Sequence, residues 1–185
     1  SNHGNTLWAL CEHYRMTRDS LWGEKITDIV LKACDWIIAQ RKLTMKNDLG
    51  SGLMPGGTVS DDKGSGQYLC TDAQTYRGLR SAADFLKSTG HKRAEEIDKA
   101  AISYRNDIQK ALFKAIERTE RIILTDGQVI PYVPSEIQQT RPPEFNRDDF
   151  WPYIIYADVG PMHLIDCDVL ESSSDIASWI LKFES

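Results

Sequence analysis

The residues best equipped for chemistry are a handful of carboxylates and aromatics. Asp61 and Asp62 stand together in a stretch rich in glycine, Asp72 follows Thr71 a few residues later, and Asp149 precedes Phe150 and Trp151. Paired carboxyl groups perform general acid–base work without help from a metal, provided that one of them holds its proton near neutral pH. Tyr68, Tyr76, Trp151 and Tyr153 are the aromatic residues that could stack against a ligand. Each residue also has a plainer reading. Asp61 and Asp62 fit a solvated turn, Asp72 the positive end of a helix dipole, Asp149 an N-cap, and a ring on a helical face is core more often than binding platform.

Other chemistries find little footing. Cys11, Cys34, Cys70 and Cys167 are scattered, with no CxxC pair and no histidine at ligand spacing, so no metal site is expected. No GxSxG elbow, P-loop or GxGxxG is present, and no cofactor is expected. The 22 basic and 27 acidic residues are mixed along the length, which argues against a nucleic-acid partner. The best apolar candidate, Ile26 to Ile38, is interrupted by Asp28, Lys32 and Asp35, so membrane insertion is not expected.

These residues must be positioned by helices. Trp8, Leu10, Cys11 and Tyr14 recur at helical spacing up to Thr17, and Asp19 or Ser20 can cap the helix that follows. That second helix carries a wide apolar stripe, Ile26, Ile29, Val30, Ala33, Cys34, Trp36, Ile37 and Ile38, and runs to about Arg41. Between Lys46 and Gln67 lie six of the twelve glycines, which predicts a long loop, and long loops are often functional. Helical period returns from Tyr68 to Thr89 and closes at Gly90, and a fourth helix runs from His91 to about Glu117. Asp126-Gly127, between Ile122–Leu124 and Val129–Val133, predicts a β-hairpin. Two shorter helices are expected near 161–170 and 175–183. The fold class is therefore all-α, made of antiparallel helical hairpins with one small β-hairpin near residues 121–133, in a single domain.

Several segments, taken in order, resemble the six-hairpin glycosidase superfamily. They are Tyr14-Arg15-Met16-Thr17-Arg18-Asp19, Lys32-Ala33-Cys34-Asp35-Trp36-Ile37, Gly52-Leu53-Met54-Pro55-Gly56, Asp61-Asp62, the run from Tyr68 to Leu79, and Asp126-Gly127 with Ile130-Pro131. The resemblance covers most of residues 7 to 135. It implies an α/α toroid in which long loops gather at the sugar-binding end, and this chain would supply about half of it, so that the remainder of the toroid is a further expected partner. It also implies a saccharide ligand, hydrolysis by paired carboxylates, and a periplasmic or secreted setting. On that reading Asp62 and Asp72 are the catalytic candidates, while Asp61, Tyr68, Tyr76, Asp149, Trp151 and Tyr153 contact the sugar. Asp62, Asp72 and Trp151 should then converge on one cleft. The competing reading from a different class is a helical-repeat module that binds protein, or a sugar-binding relative without activity.

Overall fold

The computed structural model describes residues 2–58, 65–142 and 159–184. Asp61, Asp62, Asp149, Trp151 and Tyr153 lie outside the described residues.

Helix α1 spans Asn2–Thr17 and α2 spans Ser20–Leu43. The turn between them is short because Asp19 caps α2, its Oδ1 accepting the backbone N–H groups of Leu21 at 2.9 Å and Trp22 at 3.1 Å. The chain therefore folds straight back. Trp22 packs against His13, its indole N–H donates to the Leu10 carbonyl, and His3 meets Trp36 at the far end of the pair. Helix α3 (Leu69–Ser88) and α4 (Ala94–Ile116) form a second antiparallel hairpin. Gly90 links them at φ +67°, the left-handed conformation expected of a glycine that ends a helix.

The two hairpins lie side by side with like helices parallel. Asn5 on α1 donates to Gln74 on α3, and nine residues further along α1 Tyr14 packs edge-on against Phe85, so both helices advance in the same direction. On the other layer Asp35 pairs with Arg93 at the head of α4, and Arg41 pairs with Asp107. Helix α3 is buried on nearly every side because it has α1 and α4 as neighbours and receives the later segment as well. Its own small residues let α1 come close. An added Cβ on Gly78 would stand 2.8 Å from the Gly4 Cα.

The β-hairpin pairs β1 (Arg121–Ile123) with β2 (Val129–Pro131), in antiparallel register with Ile122 opposite Ile130. Asp126-Gly127 makes the turn as expected, with Gly127 at φ +82° and the Asp126 carboxylate accepting the Gln128 N–H. Helix α5 (Met162–Asp166) is shorter than the periodicity over 161–170 suggests, and α6 (Asp175–Glu184) closes the described chain. Arg105 and Gln109 of α4 both donate to the Val169 carbonyl, which ties the connection between α5 and α6 to the second hairpin. None of the described helices is long and apolar enough to cross a membrane.

Candidate functional site

The connections cluster at one end of the hairpins. There the C-terminal end of α2 and the N-terminal end of α3 are joined by the glycine-rich loop, and the chain after the β-hairpin crosses the same end. Leu69 N–H donates to the Ser135 carbonyl at 2.9 Å and Ile137 N–H to the Gln67 carbonyl at 3.0 Å. Gly57 and Gly66 exchange two backbone hydrogen bonds, which draws the base of the loop into a two-stranded turn. A cleft of ≈ 250 Å³ opens between these segments. Its walls include the rings of Trp36 and Tyr68, the amides of Gln40 and Gln67, the hydroxyls of Thr58 and Thr71, and Asp72.

Asp72 sits in the first turn of α3 and is only 1% exposed. Its Oδ1 accepts two hydrogen bonds, from the Met54 N–H at 2.8 Å and from the Tyr104 hydroxyl at 2.6 Å. Tyr104 lies under the guanidinium of Arg41, 4.1 Å from the ring centre. Arg41 in turn donates to the Gly52 carbonyl at 2.7 Å and to Asp107 Oδ2 at 2.7 Å. One connected set of polar groups thus fixes the loop from Gly52 to Met54 against α2, α3 and α4. Such networks hold a single arrangement only when each buried group finds a partner. Asp72, the catalytic candidate from sequence, is thus a buried carboxyl whose hydrogen bonds position the cleft wall.

Burial is also the main cause of the Asp72 titration. Desolvation raises its pKa from 3.8 to about 6, against the opposing effects of the Met54 N–H, the Tyr104 hydroxyl and Arg41. Tyr104 stays protonated, since burial and then the Asp72 carboxylate push its pKa well above the usual value. A folded-state pKa above the unfolded one adds stability that is complete below about 3.8 and is lost as pH rises through about 6. The difference amounts to ~3 kcal/mol. The stability of the wild type relative to Asp72→Asn should therefore grow by about 2 kcal/mol as pH falls from 7 to 4, measured by urea unfolding at each pH. A flat difference would mean that Asp72 does not titrate in this window.

Tyr76, expected from sequence to contact the sugar, is buried. It is packed in the core formed by the helices, because its place on α3 is one turn further from the loop end and points among its neighbours there. Tyr68, the residue before α3, does line the cleft. Trp36 and Gln40 were missed as cleft residues. Trp36 belongs to the apolar stripe of α2, yet it is 40% exposed, whereas Ile26, Val30, Cys34 and Ile37 of the same stripe are buried. The readable signal was their spacing of four residues at the last turns of α2, just ahead of the glycine-rich loop.

Glu136 was also missed. Its side chain packs against Gly66 so closely that a Cβ there would stand 2.7 Å from the Glu136 carboxyl carbon. Burial raises its pKa, opposed by the backbone N–H groups of Gln138 and Gln67. Among the described residues no group of three or more His, Cys, Asp or Glu side chains is gathered as a metal would need. Compared with family models, curated proteins and solved structures, the chain finds no match.

Proposed function

We propose that this chain is part of a carbohydrate-active protein of the six-hairpin class, holding a saccharide in the cleft between the C-terminal end of α2 and the N-terminal end of α3. The observation that carries the reading is the composition of that cleft. Trp36, Tyr68, Gln40, Gln67, Thr58 and Thr71, two aromatic and four polar residues, line one space at the end where the loops gather. Aromatic faces take the apolar C–H face of a sugar ring, and amides and hydroxyls exchange hydrogen bonds with its hydroxyl groups. Parallel layers of hairpins suit a toroid, and a protein-binding stack of hairpins would share the layers without needing a polar cleft. The hydrolytic part of the proposal rests on the resemblance alone. It requires two carboxyl groups roughly 5–10 Å apart, with Asp62 and Asp72 as the candidates from sequence.

Thermal unfolding in the presence of mono- and oligosaccharides tests the binding reading. A sugar that binds only the folded chain stabilises it by ~2.7 kcal/mol at a hundred times its dissociation constant. A saturable rise in melting temperature is expected with at least one sugar, and Trp36→Ala should abolish it. A well-folded sample that shifts with none of them would overturn the reading.

A further inference from the structure

Trp36 lines a second space as well. The same indole is a wall of an apolar groove of ≈ 410 Å³ between α1 and α2, which Leu7, Leu10, Ile29 and Ala33 also line. Ile29, Ala33, Trp36 and Gln40 follow one another along α2 at steps of four, three and four residues, which places them on one face of the helix. At 1.5 Å per residue that stripe is roughly 16 Å long. Ile29, Ala33 and Trp36 line the groove, and Trp36 and Gln40 line the cleft, so the surface changes from apolar to polar at the indole.

Two further observations show the junction to be built. His3 stacks on Trp36 with ring centres 4.0 Å apart and planes at 15°, which holds the indole at the boundary. Ile29 is 53% exposed, a large apolar side chain left uncovered in the groove that Trp36 also lines. A surface with this gradient matches a molecule that has the same gradient.

We propose that the ligand of this site is a glycoside with an apolar aglycone, its sugar in the cleft and its alkyl or aryl portion in the groove between α1 and α2. The inference rests on the saccharide reading above and adds the chemical class of the ligand to it. That Trp36 lines both spaces is what favours a glycoside over a partner that covers the groove alone. Lys32, which also lines the groove, would serve a fatty-acid carboxylate instead, and this gives the test a second arm.

The test is titration calorimetry on the whole chain with paired methyl and n-octyl β-glycosides of glucose, galactose, mannose and xylose, below their micelle concentrations, and with n-octanoate. At least one octyl glycoside should bind tenfold or more tightly than its methyl counterpart. Ile29→Glu, at an exposed position that tolerates charge in the folded state, should bring the octyl affinity down to that of the methyl glycoside. Measurable but equal affinities for the methyl and octyl forms would overturn the inference while leaving the saccharide reading standing. Octanoate binding as tightly as the best octyl glycoside would overturn it too, since the sugar would then contribute nothing. No binding by any glycoside would remove the saccharide reading and this inference together.

Discussion

Replacing Arg41 with alanine is expected to destabilise the chain by about 3–5 kcal/mol, the cost of leaving a buried ion pair without one partner. Arg41 is 7% exposed, and its guanidinium serves three acceptors on two different segments: Gly52 O in the loop, and Ala100 O and Asp107 Oδ2 on α4. Truncation removes this side-chain donor from all of them and uncovers the Tyr104 ring. For a chain of this size the corresponding fall in melting temperature is on the order of 10 °C. Arg41→Lys should recover little of it, because an ammonium is a single point charge and cannot span a loop carbonyl and a carboxylate as the planar guanidinium does. The double variant Arg41→Ala/Asp107→Ala should cost less than the sum of the two single variants by ~1 kcal/mol or more, as expected for groups in direct contact. A loss below 1 kcal/mol for Arg41→Ala would show that the loop is held by other means.

Gly78→Ala presents the opposite case to ordinary helix propensity. Alanine in place of glycine in a helix interior usually gains up to ~1 kcal/mol. Here the new Cβ would meet the Gly4 backbone on α1, with the Gly4 Cα and carbonyl carbon both at 2.8 Å. Backbone cannot rotate aside as a side chain can, so α1 must shift as a unit. Overpacking of this kind costs about 1–3 kcal/mol, and with backbone on both sides the upper part of that range applies. A net loss of about 2 kcal/mol is expected in urea unfolding, and Gly4→Ala should behave alike, since its Cβ would stand 2.5 Å from the Thr75 Cα. A neutral or stabilised Gly78→Ala would mean that α1 and α3 are not in such close contact. Because α1 carries His3 to the Trp36 indole, a shifted α1 should also weaken ligand binding at that junction.

What could be read from sequence was local. The hairpin turn at Asp126-Gly127, the Gly90 cap and the Asp19 cap each depend on a few adjacent residues, and all three take the expected form. The apolar stripe of α2 was legible as a helix, but periodicity cannot divide a wide stripe into a side that meets the core and a side that opens on a groove. Ile26 and Ile37 therefore proved buried and Ile29 and Trp36 exposed, although all four belong to one pattern. Asp72 was legible only as an acidic residue in a first helical turn. Its two donors come from Met54 and Tyr104, distant in sequence in opposite directions, and no local rule brings them together. Arg41 misleads for a related reason. A basic residue in the last turn of a helix is ordinarily explained by the dipole, yet this one is drawn inward by acceptors that only the folded loop and α4 supply.

The site follows from that network. Asp72, Tyr104 and Arg41 have little of their own surface to offer a ligand, and their effect is to hold Gly52 to Met54 where the cleft wall must be. The groups that line the cleft are Trp36, Gln40, Gln67 and Tyr68, two of them in the last turns of α2 and two within two residues of the start of α3.

The most direct test of the central claim is to map by heteronuclear NMR which backbone amides move when a saccharide that stabilises the chain is titrated in. The account predicts that the largest shifts fall on Trp36 and Gln40 at the end of α2, on Met54, Gly56 and Gly57 in the loop, and on Gly66 to Tyr68 ahead of α3. Shifts confined to any other surface, with these amides unmoved at saturation, would contradict it.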